Sequence, residues 1–159
     1  MRNLIRLTLV FLALALALLS PKAEAYSGQD KLLKNYITKH ALKHKVERSV
    51  LSCVLKIESG YRMGLISETF DYGLAQVNIR TIKAFKLDKD KLLTNLEYNV
   101  STAAFILRTY KKAFAFDEPT NWIARYNIGY QSLTKGSVGA SYVMYNAKIQ
   151  KCIKSEEYL

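Results

Sequence analysis

The stretch ERSVLSCVLKIESG, residues 47–60, sets the reading of this chain. Val50, Leu51, Val54 and Leu55 or Ile57 recur at the three- and four-residue spacing that lines one face of an α-helix. Gly60 follows where a helix end calls for left-handed backbone, so the helix is expected to run from about Glu47 to Ser59. Its last turn carries one acid, Glu58. There the negative end of the helix dipole disfavours a further negative charge, and Leu55, Ile57 and Tyr61 are placed to desolvate the carboxyl group. Both effects favour the neutral form, which is the form that gives a proton to a leaving oxygen near neutral pH. A glutamate at a helix end is more commonly a solvated surface residue, so position alone does not assign chemistry to Glu58.

Outward from this helix the same periodicity continues. An earlier helix is expected from about Gln29 to His44, capped by Ser27, with Leu33, Tyr36, Ile37 and Ala41 on one face. After Gly60 the residues to Tyr72 read as an irregular loop, broken by Gly64 and closed by Gly73; an ordered loop of that length is uncommon and often functional. A short helix is expected at about Asn78 to Phe85 and a longer one from about Asn95 to Phe114, with Val100, Ala103, Ala104, Leu107 and Tyr110 inward. Thr120 is placed to cap a short helix through Trp122 and Ala124. Ser137 is placed to cap a last helix with the stripe Val138, Tyr142, Tyr145, Ile149 and Cys152. With two prolines and seven glycines, and with no hairpin signal, the fold class is mainly α.

The 159 residues, 50% hydrophobic and 23% charged, fit one globular domain. Residues 1–25 read as a secretory signal peptide. Arg2 and Arg6 precede the apolar run Leu7 to Leu19, and Ala23-Glu24-Ala25 supplies the small-x-small cleavage pattern. That run is shorter than the roughly 20 residues of a membrane span, and no later segment approaches one. The expected division is therefore a signal peptide at 1–25 and one domain at 26–159, with no stable membrane span after cleavage and a periplasmic or secreted location. Removing Arg2, Arg6, Lys22 and Glu24 takes the net charge from +11 to +9. A basic exported protein suits an anionic polymer such as a cell wall. The charge is spread without a Lys/Arg block or aromatic-interleaved basic motif, which argues against nucleic acid as the partner.

Two cysteines, Cys53 and Cys152, make a disulfide plausible in an oxidising compartment, with two separate buried thiols as the alternative. Neither has the spacing of a zinc site. His40 and His44 share a helix face without a third ligand near them, so they read as a structural pair, with no metal and no cofactor expected.

The runs Ile57-Glu58-Ser59-Gly60-Tyr61, Asp71-Tyr72-Gly73-Leu74-Ala75-Gln76-Val77-Asn78 and Ala124-Arg125-Tyr126-Asn127-Ile128-Gly129 resemble the three signature blocks of the soluble lytic transglycosylase family. The resemblance covers roughly Val46 to Gly129, in the order and near the separations of the family. It implies a lysozyme-like single domain with a glycan-binding cleft, acting on the MurNAc–GlcNAc β-1,4 bonds of peptidoglycan and leaving 1,6-anhydro-MurNAc ends. Glu58 is similar to the family's acid/base, and Ser59 to a residue that orients the acid or substrate. Gln76, Asn78 and Asn127 match positions expected to meet the glycan, Gly73 a backbone turn beneath it, and Tyr126 a phenol hydrogen-bonded to the catalytic carboxyl group. Ala75 stands where methionine is usual, Arg125 where alanine is, and Ile128 where a small residue is. The small size also resembles members that open the wall for a secretion, conjugation or pilus machine, whose components would then be partners.

Asp71 leaves a mechanistic choice open. Asp-Tyr-Gly-x-x-Gln-x-Asn also resembles the segment of animal-type lysozymes in which the aspartate is nucleophile or charge stabiliser, the handling of two carboxylates that defines retaining hydrolysis. A hydrolytic muramidase using Glu58 and Asp71 is therefore the alternative, and a non-catalytic peptidoglycan-binding assembly protein is a third. Asp71 also has a plain reading as a turn former before Tyr72-Gly73.

Overall fold

The computed structural model describes residues 28–116, 122–129, 139–155 and 159. The leader read over residues 1–25, the caps at Ser27, Thr120 and Ser137, and Val138 lie outside the described residues. The chain divides into a unit ending at Lys34 and a second unit, Asn35–Leu159. Helix α1 covers residues 28–44, so the described part of the first unit is the opening of that helix. All the remaining elements belong to the second unit.

Helix α2, Arg48–Ser59, forms as its periodicity dictates, and buries Val50, Leu51, Val54 and Leu55. It ends at Gly60, whose φ of 61° turns the chain left-handed while its N–H caps the Lys56 carbonyl. Full burial of a leucine or valine contributes about 1.5–3 kcal/mol, so this face alone anchors α2 firmly. It packs on the long helix α5, Leu96–Phe114, and on the last helix, α7, Ala140–Ser155.

The next segment corrects the expectation that no hairpin is present. Strands β1 (Asp71–Tyr72) and β2 (Val77–Asn78) pair antiparallel, with Asp71 opposite Asn78 and Tyr72 opposite Val77. A bridge from Ile66 to Tyr72 extends the pairing. Two-residue strands are too short to display an alternating pattern, which is why the sequence reads as loop. The connection is drawn tight by Gly73 and Gln76, both at positive φ. A Cβ at Gly73 would lie 1.9 Å from the Leu92 carbonyl oxygen and 2.5 Å from Asn99 Oδ1. Only glycine fits there.

Helix α3 spans Ile79–Phe85, with the Asn78 side chain accepting from the Arg80 N–H at its start. Helix α4, Lys89–Thr94, has no counterpart among the expected helices: its two apolar residues, Leu92 and Leu93, are adjacent and only Leu92 is buried, so it shows no apolar stripe. Asp88 caps it, taking the Asp90 and Lys91 N–H groups. Helix α5, Leu96–Phe114, starts on an Asn95 cap and buries Val100, Ala103, Ala104, Leu107 and Tyr110 as expected, together with Asn99 and Ile106. A 3-10 turn at Trp122–Ala124 leads into α6, Arg125–Ile128. Helix α7, Ala140–Ser155, buries the expected Tyr142, Tyr145, Ile149 and Cys152.

Two further links hold the body. Cys53 on α2 and Cys152 on α7 form a disulfide, with Cα atoms 5.9 Å apart. His40 is buried on α1, and its Nε2 lies 3.1 Å from Glu97 Oε1, the same oxygen that Lys39 Nζ reaches at 2.6 Å. Burial, with Lys43, His40 and Arg108 nearby, holds the His44 pKa below the usual histidine range. Among the described residues no group of three or more His, Cys, Asp or Glu is placed to hold a metal ion. No described helix is long and apolar enough to cross a membrane.

Candidate active site

The α2 helix end, the hairpin, α5, α6 and α7 converge on one cleft. Its narrow part, about 70 Å³, is lined by Glu58, Asp71, Gln76, Val77, Asn78, Thr81, Ile106, Tyr110, Tyr126, Asn127 and Gly129. Of the eight residues singled out from the sequence for this site, only Ser59 and Gly73 are absent from this lining. A wider hollow of about 550 Å³ continues from it, sharing Asp71, Asn78, Thr81, Asn127 and Gly129.

Glu58 is half-buried in the wall of this throat. Its pKa is raised from 4.5 to about 7, first by burial and then by the charge of Asp71, against the lowering influence of a hydrogen bond from Tyr145 and the charge of Lys148. The Tyr61 hydroxyl pairs with Ser52 Oγ at 3.0 Å.

The phenol that holds Glu58 is not the one expected. Tyr145 on α7 donates to Glu58 Oε1 at 2.6 Å. The Tyr126 hydroxyl, having one hydrogen, donates it to the Ala75 carbonyl at 2.8 Å. Tyr126 thus fastens α6 to the hairpin turn and walls the throat. Burial, followed by the charge of Glu58, pushes both phenols well above the usual tyrosine range, so both remain protonated donors. In the sequence Tyr145 merges into the core stripe of α7; the available signal is that a buried tyrosine needs a partner for its hydroxyl.

Ser59 likewise departs from expectation. It is buried, and its Oγ donates back to the Leu55 carbonyl at 3.3 Å, the bond a helix-end serine makes when its side chain faces the core. Its own carbonyl accepts from Arg62 Nε at 2.8 Å. The hydroxyl serves the end of α2 and does not reach the cleft lining.

Asp71 faces the throat with both carboxyl oxygens engaged. Oδ2 accepts from Ser67 Oγ at 2.7 Å and from Thr69 Oγ1, and Oδ1 accepts from Asn78 Nδ2 at 2.7 Å. Asn78 therefore has three duties: it caps α3, it holds Asp71, and through Nδ2 it also reaches the Thr69 carbonyl at 3.0 Å. Gln76 donates its Nε2 to the Gly73 carbonyl at 2.7 Å, fixing its side chain along the throat. Asn127 is exposed on the rim and lines both parts of the cleft.

Beneath the hairpin turn, Asn99 is a support that the sequence does not single out. Fully buried, it donates Nδ2 to the Leu92 carbonyl at 2.7 Å and the Asn95 carbonyl at 2.9 Å, and accepts from the Ala75 N–H at 3.2 Å. It ties the turn to α4 and α5 while satisfying buried backbone groups that have no water to turn to. Ala75 itself is fully buried, so its small side chain trims the core under the turn and not a cleft wall. Arg125 is also buried, its guanidinium stacked 4.4 Å from the Phe114 ring centroid and 5.4 Å from that of Tyr142. Its substitution for a small residue is thus absorbed between α5 and α7, away from the cleft.

A cleft with a neutral-poised carboxylic acid, a donor fixing one of its oxygens, and a fixed second carboxylate is equipped to protonate a glycosidic oxygen. A family model described as the transglycosylase SLT domain matches residues 35–143. Comparison with curated protein sequences gives no match. The matched span holds the acid, the hairpin, Asn99 and Tyr126, and it covers well over half of the chain. The chain belongs to the transglycosylase SLT domain family, whose members cleave the glycan strands of peptidoglycan.

Proposed function

We propose that this protein is a lytic transglycosylase in which Glu58 is the sole proton-transfer residue and the cut strand ends in 1,6-anhydro-MurNAc. The observation carrying this reading is the state of Glu58, an acid with a pKa of about 7 in the cleft, held through Oε1 by Tyr145. With Oε1 engaged, Oε2 carries the proton and delivers it to the glycosidic oxygen as the C1–O bond breaks. The substrate's own 2-acetamido carbonyl then bonds to C1 and takes up the developing positive charge. Glu58, now a carboxylate, removes the proton from the muramyl 6-hydroxyl; O6 bonds to C1, the acetamido oxygen leaves, and Glu58 is protonated again. No water is consumed.

The surroundings of Asp71 favour this route over one with a carboxylate nucleophile. Three donors spread over its two oxygens lower their nucleophilicity, and a carboxylate so fixed acts as a charge that raises the pKa of Glu58 and faces the sugar cation. Its position in the same throat keeps hydrolysis by the Glu58–Asp71 pair as the second reading.

The leader-like residues 1–25 support action outside the cytoplasm. Local wall opening for a secretion, conjugation or pilus machine is the role that the family resemblance suggests.

Mass spectrometry of fragments released from purified cell wall separates the readings. Ends lighter by one water than reducing ends are the expected product, and reducing ends alone would sink the anhydro route. Glu58→Gln should abolish release; clearance equal to the parent's would remove both enzymatic readings.

A further inference from the structure

The wide hollow beside the throat contains an aromatic ring in an unusual state. Phe70 has φ of 62°, a conformation that bulky L-residues rarely adopt, and its side chain is 60% exposed. Burial of the ring does not explain the conformation. Hydrogen bonds at both ends of the residue do: its N–H donates to the Ser67 carbonyl at 3.1 Å, and its carbonyl accepts from the Ile79 N–H at 2.9 Å. The loop backbone thus fixes an exposed aromatic ring at the hollow's edge, and conformations held at such a cost cluster at ligand sites.

Arg80 lines the same hollow from the first turn of α3. Its backbone N–H is fixed by Asn78, whereas its guanidinium has no hydrogen-bond or ion-pair partner among the described residues. Glu68 adds an exposed carboxylate to the lining. A volume of about 550 Å³ suits a sugar with a substituent. One aromatic face, one unpaired cation and one hydrogen-bond-accepting carboxylate match a mixed ligand carrying an apolar ring face, amide or hydroxyl donors and a carboxylate. A simple polyanion would meet Glu68 unfavourably.

We propose that Phe70 and Arg80 form a subsite for a peptide-bearing muramyl residue of the glycan strand. The Phe70 ring packs on the pyranose face, and the Arg80 guanidinium pairs with a carboxylate of the peptide stem. This subsite rests on the reading of Glu58 as the glycan-cleaving acid, because it is that substrate which the shared lining leads past. It would make the enzyme favour strands that still carry their peptides.

The test compares glycan strands bearing peptides with strands stripped of them by an amidase. Arg80→Ala should lower the ratio of kcat/KM for peptide-bearing over stripped strands about tenfold, the scale of one charge-assisted hydrogen bond. Arg80→Lys should restore part of it. Phe70→Ala should raise KM for both substrates by a similar factor of about 3–10, the scale of an aromatic packing contact. An unchanged substrate ratio in Arg80→Ala, or an unchanged KM in Phe70→Ala, overturns the subsite. The same comparison is made by pull-down of Glu58→Gln protein, with and without each second substitution, on the two kinds of strand immobilised on beads. That binding arm decides the subsite even if the parent releases no fragments, a result that would count against the Glu58 reading alone.

Discussion

Removing one hydroxyl, in Tyr145→Phe, isolates the contact that most directly controls the acid. Tyr145 donates to Glu58 Oε1 at 2.6 Å, and the bond lowers the Glu58 pKa because it favours the carboxylate over the acid. A hydrogen bond to a charged group is worth about 1.5–3 kcal/mol and a neutral one about 0.5–1.5. The carboxylate therefore loses roughly 1–1.5 kcal/mol more than the acid does. At about 1.4 kcal/mol per pKa unit this raises Glu58 by about one unit, from about 7 to near 8. The first chemical step needs the protonated acid, so the alkaline limb of kcat/KM against pH should move up by about one unit. The plateau rate should fall, since a weaker acid gives its proton less readily and Oε1 is no longer fixed. The ring remains, and the Cys53–Cys152 bond still holds α7 to α2, so circular dichroism should show an intact fold. A pH profile measured on solubilised glycan strands checks the shift. An unmoved limb, or a downward shift, would refute the assignment of Tyr145 as the donor that tunes Glu58.

Other substitutions probe the framework of the same site. In Glu58→Gln the sign of the stability effect depends on pH. The folded-state pKa of about 7 exceeds the ordinary 4.5, so the native state binds the proton more tightly, and stability falls as pH rises from about 4.5 to 7. Denaturant titrations should find the variant more stable than the parent by up to about 3 kcal/mol at pH 8, and no more stable at pH 4. Gly73→Ala should cost more than about 2 kcal/mol and depress activity, because its Cβ would strike the Leu92 carbonyl at 1.9 Å; thermal melts and fragment release measure the two effects. Replacing Cys53 and Cys152 by serine opens a cross-link across 99 positions and should lower stability by about 2–4 kcal/mol. Activity at a temperature where the variant is fully folded should also fall, since α7 carries the Tyr145 hydroxyl. Asp71→Asn keeps the size but removes the charge, and should lower the alkaline limb, because the Asp71 charge raises the Glu58 pKa.

Helices α2, α5 and α7 are legible because each presents a long apolar face, and the chain marks the end of α2 with Gly60 and the start of α5 with Asn95. What escapes reading is short or polar. The hairpin has two-residue strands, and α4 buries one side chain. The site divides in the same way. Glu58, Asp71, Gln76, Asn78, Tyr126 and Asn127 lie in local motifs, and all six line the throat. Their contacts are less legible. The partner of Glu58 comes from a position 87 residues away, on a helix whose tyrosines look alike until one hydroxyl is seen to meet a carboxylate. Asn99 is hidden for a related reason: an asparagine among buried helix positions shows its purpose only once the turn above it supplies an unpaired N–H.

The balance of influences on Glu58 reflects the use of one residue twice. In the anhydro-forming route it must give a proton to the leaving oxygen and then take one from the 6-hydroxyl. Too low a pKa leaves little acid for the first step, and too high a pKa leaves a reluctant donor; the useful value lies near the operating pH. Burial alone would push the carboxyl group upward, and the negative charge of Asp71 pushes in the same direction. The Tyr145 hydrogen bond and the positive charge of Lys148, three residues along α7, pull it back to about 7. Both restraining groups stand on the helix that the disulfide fastens to the helix carrying the acid. The cross-link therefore lies in the path between fold and chemistry, because it fixes the distance on which the pKa of Glu58 depends.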